Sequence, residues 1–269
     1  MRAFTTRFAL GAASLLISSV GCSSSDGSSA KTDEAYKTEI VTGMHDSLLA
    51  QIGALHQAAI EMQAAAPSPT GRGWDPVMDA AAIEATKAAW KRARSAYEQI
   101  EGALAPIFPD IDASIDARYD DFLSSLAASG GDRDLFDDHG VTGLHAVERI
   151  LFVDSTPARV VDFEKALPGY KAAAFPANET ESNEFKTKLL PKIIADAQTM
   201  ADQWTPQKID LGGCFQKLIS LMNEQREKVN KASTNEEESR YSQRTLADIR
   251  DNLVGTGRIY ALFEPWLVT

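Results

Sequence analysis

The sequence predicts an all-α protein built as two packed four-helix bundles. Apolar residues recur at helical spacing along most of the chain. The glycines and prolines gather at breaks between those stretches. No run of alternating β-branched residues bounded by turns occurs.

The elements follow in order. From Glu34 to Ala66 the stripe Ile40, Met44, Leu48, Leu49, Ile52, Leu55 and Ile60 marks a first helix, broken by Pro67, Pro69, Gly71 and Gly73. Asp79 to Leu104 is rich in alanine and ends before Pro106 and Pro109. Ile111 to Ala128 is a third helix, stopped by Gly130 and Gly131, and Gly140 to Phe152 is a fourth. Pro157, Pro168, Gly169 and Pro176 make 153–183 an irregular connector with one short helix. Glu184 to Trp204 carries Phe185, Leu189, Ile193, Ala197, Met200 and Trp204 on one face. Leu211–Lys231, Glu236–Val254 and Gly257–Leu267 complete the set. Four helices, a connector and four helices place an N-terminal bundle at 34–160 and a connector with a C-terminal bundle at 161–269.

Composition narrows the function. The 269 residues are 44% hydrophobic, which excludes wholesale disorder, and the net charge of -11 argues against binding nucleic acid. Two cysteines build no disulfide scaffold, and four histidines build no multi-histidine cage. Residues 1–21 read as a signal peptide: Arg2 and Arg7 precede an apolar run too short to span a bilayer, which needs roughly 20 residues. Ser19, Val20 and Gly21 before Cys22 look like a bacterial lipobox, making Cys22 the lipid-bearing residue. Residues 22–33 are then a flexible tether. The expected location is the bacterial cell envelope, at its periplasmic face, anchored to the membrane through lipid.

Two helices carry polar residues where apolar ones are expected. His145 and Glu148 share the stripe of Val141, Leu144 and Leu151. Burying that pair costs several kcal/mol unless the two satisfy each other or bind a metal. On the earlier helix Trp90, Arg94, Tyr97, Glu98 and Glu101 fall on one face, and the two glutamates repel unless Arg94 or a cation compensates them. A solvated acidic face is the alternative, against which the tryptophan and tyrosine argue. Asp112 and Asp116 add a further pair at i, i+4. Several carboxylates and one imidazole suit iron, manganese or zinc. One His-x-x-Glu motif does not make a ferritin-type site, and the zinc-protease HExxH motif is absent.

These residues, read as Arg94-x-x-Tyr97-Glu98-x-Ile100-Glu101, Asp112-x-x-x-Asp116-x-Arg118 and Gly143-x-His145-x-x-Glu148, resemble the imelysin and EfeO-type family of extracytoplasmic iron-uptake proteins, long classed among metallopeptidases. The tail containing Leu246, Asp248, Asn252 and Gly255 is similar to that family's last helices. The resemblance implies an all-α fold of two packed four-helix bundles with a cleft between them and a metal site near the cleft, at the His145 helix. Its implied ligands are Glu98, Glu101, Asp116, His145 and Glu148, with Asp112 as a substitute for Asp116. Arg94, Tyr97, Asp112 and Arg118 surround them. It further implies iron as the cargo, with zinc or manganese as alternatives, and an iron permease as partner. One departure is that the short linker leaves no room for the N-terminal cupredoxin domain frequent in EfeO-type proteins. The connector 153–183 also lacks a clear counterpart. Two other functions compete: a metallopeptidase using the His-x-x-Glu site, and a polysaccharide- or protein-binding module with a structural polar core.

Overall fold

Ile40, Met44, Leu48, Ile52, Leu55 and Met62, spaced by three, four or seven residues, line the buried side of α1 (Asp33–Ala65). A computed structural model of the chain describes residues 31–233 and 237–268. Cys22 and the expected signal segment 1–21 lie outside the described residues. Among the described residues there is no strand, so the all-α class holds, and no helix is long and apolar enough to cross a membrane.

Against α1 pack α2 (Ala80–Glu98) and α9 (Leu190–Trp204), and α11 (Thr245–Leu267) joins them. α10 (Leu211–Ser233) lies beside α11, with the Phe215 and Phe263 ring centroids 4.7 Å apart. The principal apolar core runs without interruption from Ile40 to Phe263, so position 160 marks no break in the packing. A small satellite core forms around Tyr119, Leu123 and Val141. The expected connector contains α7 (Ala158–Lys165) and α8 (Glu179–Glu184). A π turn over Phe185–Leu189 joins α8 to α9 just before Pro191, whose ring nitrogen has no proton to continue the ladder.

Three departures from simple periodicity shape the site. The long second helix stops at Glu98 and resumes as α3 (Glu101–Leu104). α11 packs into that break: Asn252 Nδ2 donates to the Glu98 carbonyl at 2.7 Å, and a Cβ on Gly255 would stand 2.2 Å from the Gln99 carbonyl oxygen. Only glycine permits this approach. The expected third helix is likewise split into α4 (Pro109–Asp116) and α5 (Tyr119–Leu126) by an extended Ala117. Asp116 therefore sits at a helix end, turned inward. Finally, the chain from 237 to 244, expected as helix, is a strap of turns leading into α11. Its polar groups are spent on distant partners: Ser239 Oγ donates to Asp248 at 2.6 Å, and the Tyr241 hydroxyl to Glu164 at 2.5 Å. Gly257, expected at a break, lies inside the continuous α11.

Candidate metal centre

His145 and Glu148 lie on α6 (Gly143–Leu151), every residue of which is buried. α6 starts where it does because Gly143 has φ of +84° and rests on α4: a Cβ there would meet the Ile115 carbonyl oxygen at 2.4 Å and that of Ser114 at 2.5 Å. The glycine of the motif thus brings His145 next to Asp116. The Trp90 indole donates to the Leu144 carbonyl at 2.8 Å and ties α2 to the same turn.

Glu148 is fully engaged. Its Oε1 accepts from the Ser242 N–H at 2.8 Å, the Ser242 hydroxyl at 2.7 Å and the Tyr241 N–H at 3.2 Å. Its Oε2 lies 2.8 Å from His145 Nδ1. With Glu148 ionised, Nδ1 carries the imidazole proton and Nε2 presents a lone pair. That Nε2 is buried and has no hydrogen-bond partner. It points towards Asp116 Oδ1 at 3.6 Å. A ring nitrogen of His145, an Asp116 oxygen and an oxygen of Glu238 on the strap all lie within 4.8 Å of one another.

An orphaned, buried imidazole nitrogen facing two carboxylates is a donor set for a divalent or trivalent cation. The Glu148–His145 contact is the arrangement by which a carboxylate orients a metal-binding histidine. The residues present therefore fit a metal. Burial, and then the nearby Arg94, depress the His145 pKa well below 6.5, keeping the imidazole neutral and free to donate its lone pair. Burial raises Asp116 well above the usual carboxylate range, against the pull of Arg94. Glu148 is pushed up to about 8, mainly by burial. Glu238 behaves oppositely: Lys228, Arg94 and Lys231 overcome its burial and hold it well below the usual range.

The other expected site residues lie close by in different company. Glu98 and Glu101 face the ammonium of Lys228 on α10, at 2.9 and 2.8 Å. The pair is thus compensated by a lysine supplied by a distant helix and, at Glu98, by Arg94 as well. Arg94, wholly buried, ion-pairs with Glu98 and Asp116 and lies 3.7 Å from Glu238 and 3.9 Å from Asp248. Glu98 is raised to about 8, because burial outweighs the attraction of Arg94 and Lys228. Tyr97 donates its hydroxyl proton to Asp112. Arg118 precedes α5 and pairs with Asp121 at 3.5 Å. Six carboxylates (Glu98, Glu101, Asp116, Glu148, Glu238, Asp248) thus face three cations, Arg94, Lys228 and Lys231, so the cluster when fully ionised keeps an excess of negative charge.

A cavity of about 460 Å³ opens beside this cluster. Asp116 and Glu238 border it, as do Glu101, Asp112, Asp121 and Glu224. Arg118 and Lys231 also line it, but carboxylates predominate, so its walls favour the approach of a cation to Asp116 and Glu238.

Sequence spacing did not single out Glu238, Asp248 or Lys228 as members of the cluster. Glu238 follows Glu236 and Glu237 in an acidic run where nothing local distinguishes one glutamate from the next. Asp248 and Asn252, in the tail that resembles the family's last helices, are four apart and both face the cluster; Asn252 also hydrogen-bonds the Glu98 carboxylate. Lys228 falls in register with the buried Cys214 and Leu221 on α10, and a lysine on an apolar stripe was the available signal.

The Imelysin (Peptidase M75) family model matches residues 41–268 of this chain. Among curated proteins, the chain is 27% identical over 185 residues to "Iron uptake system component EfeO" of Escherichia coli (strain K12) and of Shigella flexneri. It is 28% identical over 196 residues to the protein of that name from Escherichia coli O1:K1 / APEC. Each alignment covers 69% of this chain and 38% of the relative, so the match reaches little more than a third of those relatives' length. No solved structure matches the chain.

Proposed function

The chain belongs to the imelysin family, and on that premise we propose that it is an iron-binding component of an uptake system in the bacterial cell envelope. It captures a ferrous or ferric ion, with zinc and manganese as competitors, and passes it to an iron permease. Cys22 anchors it to the membrane through lipid. The observation that carries the reading is the buried His145 Nε2, without a partner and aimed at Asp116 and Glu238.

In this reading His145, Asp116 and Glu238 hold the ion. Glu148 orients the imidazole. Glu98 and Glu101 hold Lys228, which together with Arg94 offsets part of the acidic charge in the ion-free protein. The similarity to EfeO proteins supports iron among the metals that such a donor set accepts. Hydrolysis is disfavoured by the state of Glu148, whose oxygens are taken by the strap and by His145. A metallopeptidase needs a free base beside its metal-bound water.

Anaerobic titration with ferrous ion, followed by calorimetry and metal analysis, tests the assignment. His145→Ala and Glu238→Gln should each abolish tight binding. A Glu98→Gln, Glu101→Gln double variant should retain measurable binding. Undiminished affinity in both His145→Ala and Glu238→Gln removes the site. Loss in the double variant alone moves the ion to the Lys228 side of the cluster.

A further inference from the structure

The outer face of α11 is unusually apolar for a helix on a protein surface. Leu246, Leu253, Tyr260 and Leu267 recur every seven residues and are all exposed, Leu246 at 81% and Leu267 at 58%. Val254 and Val268 lie on the same exposed side. Arg250 and Glu264 are the two charged residues among the exposed positions of the helix. α10 continues the patch. It runs alongside, with Gln225 Nε2 on the Asn252 carbonyl and the Thr256 hydroxyl, and leaves Ile219, Met222 and Val229 exposed. A strict seven-residue apolar repeat is what a helix shows when it packs along another helix. None of these side chains contributes to the buried core.

Two further observations say what covers the face. Gly257 stands in the middle of α11, where glycine costs about 1 kcal/mol relative to alanine. Nothing among the described residues calls for it, because a Cβ there would meet none of them within 4 Å. Arg250 and Glu264 lie seven residues before and after Gly257, on the same face, and neither has an ion-pair partner among the described residues. A second α11 laid antiparallel across the first, with a two-fold axis at Gly257, sets Arg250 of each copy against Glu264 of the other. The same operation pairs Val254 with Tyr260 and Leu246 with Val268. The missing side chain at Gly257 lets the two helix backbones approach at the axis.

We infer that α10 and α11 form the self-association surface of this protein, a symmetric dimer in which two copies of α11 cross antiparallel at Gly257. The area is sufficient. A 23-residue helix is about 35 Å long, and a strip two helices wide buries roughly 700 Å² per copy, close to the roughly 800 Å² of a standard interface. The two-fold makes the contact isologous and closed, so it yields a dimer and no fibre. The inference is independent of which metal binds, or whether one does.

Sedimentation of the purified, metal-free protein across the micromolar range is the test, with circular dichroism confirming that each variant is folded. Wild type should be dimeric. Arg250→Glu and Glu264→Arg should each weaken the dimer by at least about tenfold, and the double reversal should restore it. Gly257→Leu should give a folded monomer, since the space around that Cβ is open. Gly257→Cys should form an intermolecular disulfide with its own kind, because the two-fold places like residues together; a cysteine at the exposed Asp202 on α9 should not. Monomeric wild-type protein throughout the range overturns the inference. So does a double charge reversal no better than the single ones, or a Gly257→Cys variant that cross-links no faster than Asp202→Cys.

Discussion

Replacing Glu148 by glutamine alters one atom of the site while leaving the shape of the side chain intact. The amide oxygen can occupy the place of Oε1 and keep the Ser242 N–H, the Ser242 hydroxyl and the Tyr241 N–H, at 2.8, 2.7 and 3.2 Å. The amide nitrogen is then left facing His145 Nδ1 across 2.8 Å. Two donors cannot share that contact, so Nδ1 must become the acceptor and the ring proton moves to Nε2. The Glu148 carboxyl can restore the Nε2 lone pair by giving up its proton as a cation enters, and the amide cannot. To bind an ion, the imidazole must return its proton to Nδ1 and leave two N–H groups opposed in a dry pocket, at a cost of about 1–3 kcal/mol. That corresponds to a loss of about 10- to 100-fold in iron affinity, the usual range for residues that orient metal-binding histidines. The assay is anaerobic calorimetric titration of wild-type and Glu148→Gln protein with ferrous ion at neutral pH, with thermal melts in parallel. The metal-free variant should melt at or above the wild-type temperature, because a carboxyl raised by burial to about 8 has been replaced by a neutral amide. The iron-induced rise in Tm should largely vanish. Iron binding within threefold of wild type would refute the claim that Glu148 sets the histidine tautomer.

Other consequences are equally open to measurement. Gly143→Ala places a methyl 2.4 Å from the Ile115 carbonyl oxygen at a φ of +84°; strain and displacement of α6 should cost about 2–4 kcal/mol in urea unfolding and separate His145 from Asp116, weakening iron binding as well. Lys228→Met strips the ammonium from Glu98 and Glu101 and should destabilise the protein by about 3–5 kcal/mol, with recovery when both glutamates are also made glutamine. Thermal stability of the metal-free protein should fall as pH rises from 5 to about 8.5. Burial, with the neighbouring Glu101, raises Glu224 from 4.5 to about 7, and burial raises Glu98 to about 8, so the folded state holds protons that the unfolded chain has released. Glu224→Gln should flatten that slope. Below about pH 4.5 the trend should reverse, because Glu238, depressed by Lys228, Arg94 and Lys231, must then take up a proton on unfolding.

The helices were legible because their apolar stripes are local: Ile40, Met44, Leu48, Ile52 and Leu55, and Phe185, Leu189, Ile193, Ala197, Met200 and Trp204, are buried as spacing predicts, whereas Ile60 at the end of the first stripe is exposed. Burial of Arg94, Glu98, His145 and Glu148 was legible for the same reason, since each shares a face with Trp90 or Leu144. The breaks at Gln99–Ile100 and Ala117 were not. They are imposed by α11 packing against one and by the inward turn of Asp116 at the other, and neither leaves a proline or glycine at the point of the break. The strap was read as helix because glutamate and arginine favour helices; its hydrogen bonds to Glu148, Asp248 and Glu164 override that preference. Glu238 and Lys228 join the cluster through chain separations that no local pattern encodes.

Under the proposed function, the strap has a consequence for when the protein can bind an ion. Tyr241 and Ser242 reach Glu148 across 93 and 94 residues of chain, and Glu238 arrives with them. The three donor groups therefore come from stretches far apart in the order of synthesis, and contacts of such long range are slow to form because they must first overcome loop-closure entropy. A chain halted after α9 contains Asp116 and His145 but has neither the third donor nor the backbone N–H groups that fix Glu148. Such a chain has no tight seat for iron, whatever its acidity. In the proposed reading, occupancy reports that the last third of the polypeptide has closed over the middle third, and nascent or unfolding copies release metal instead of trapping it.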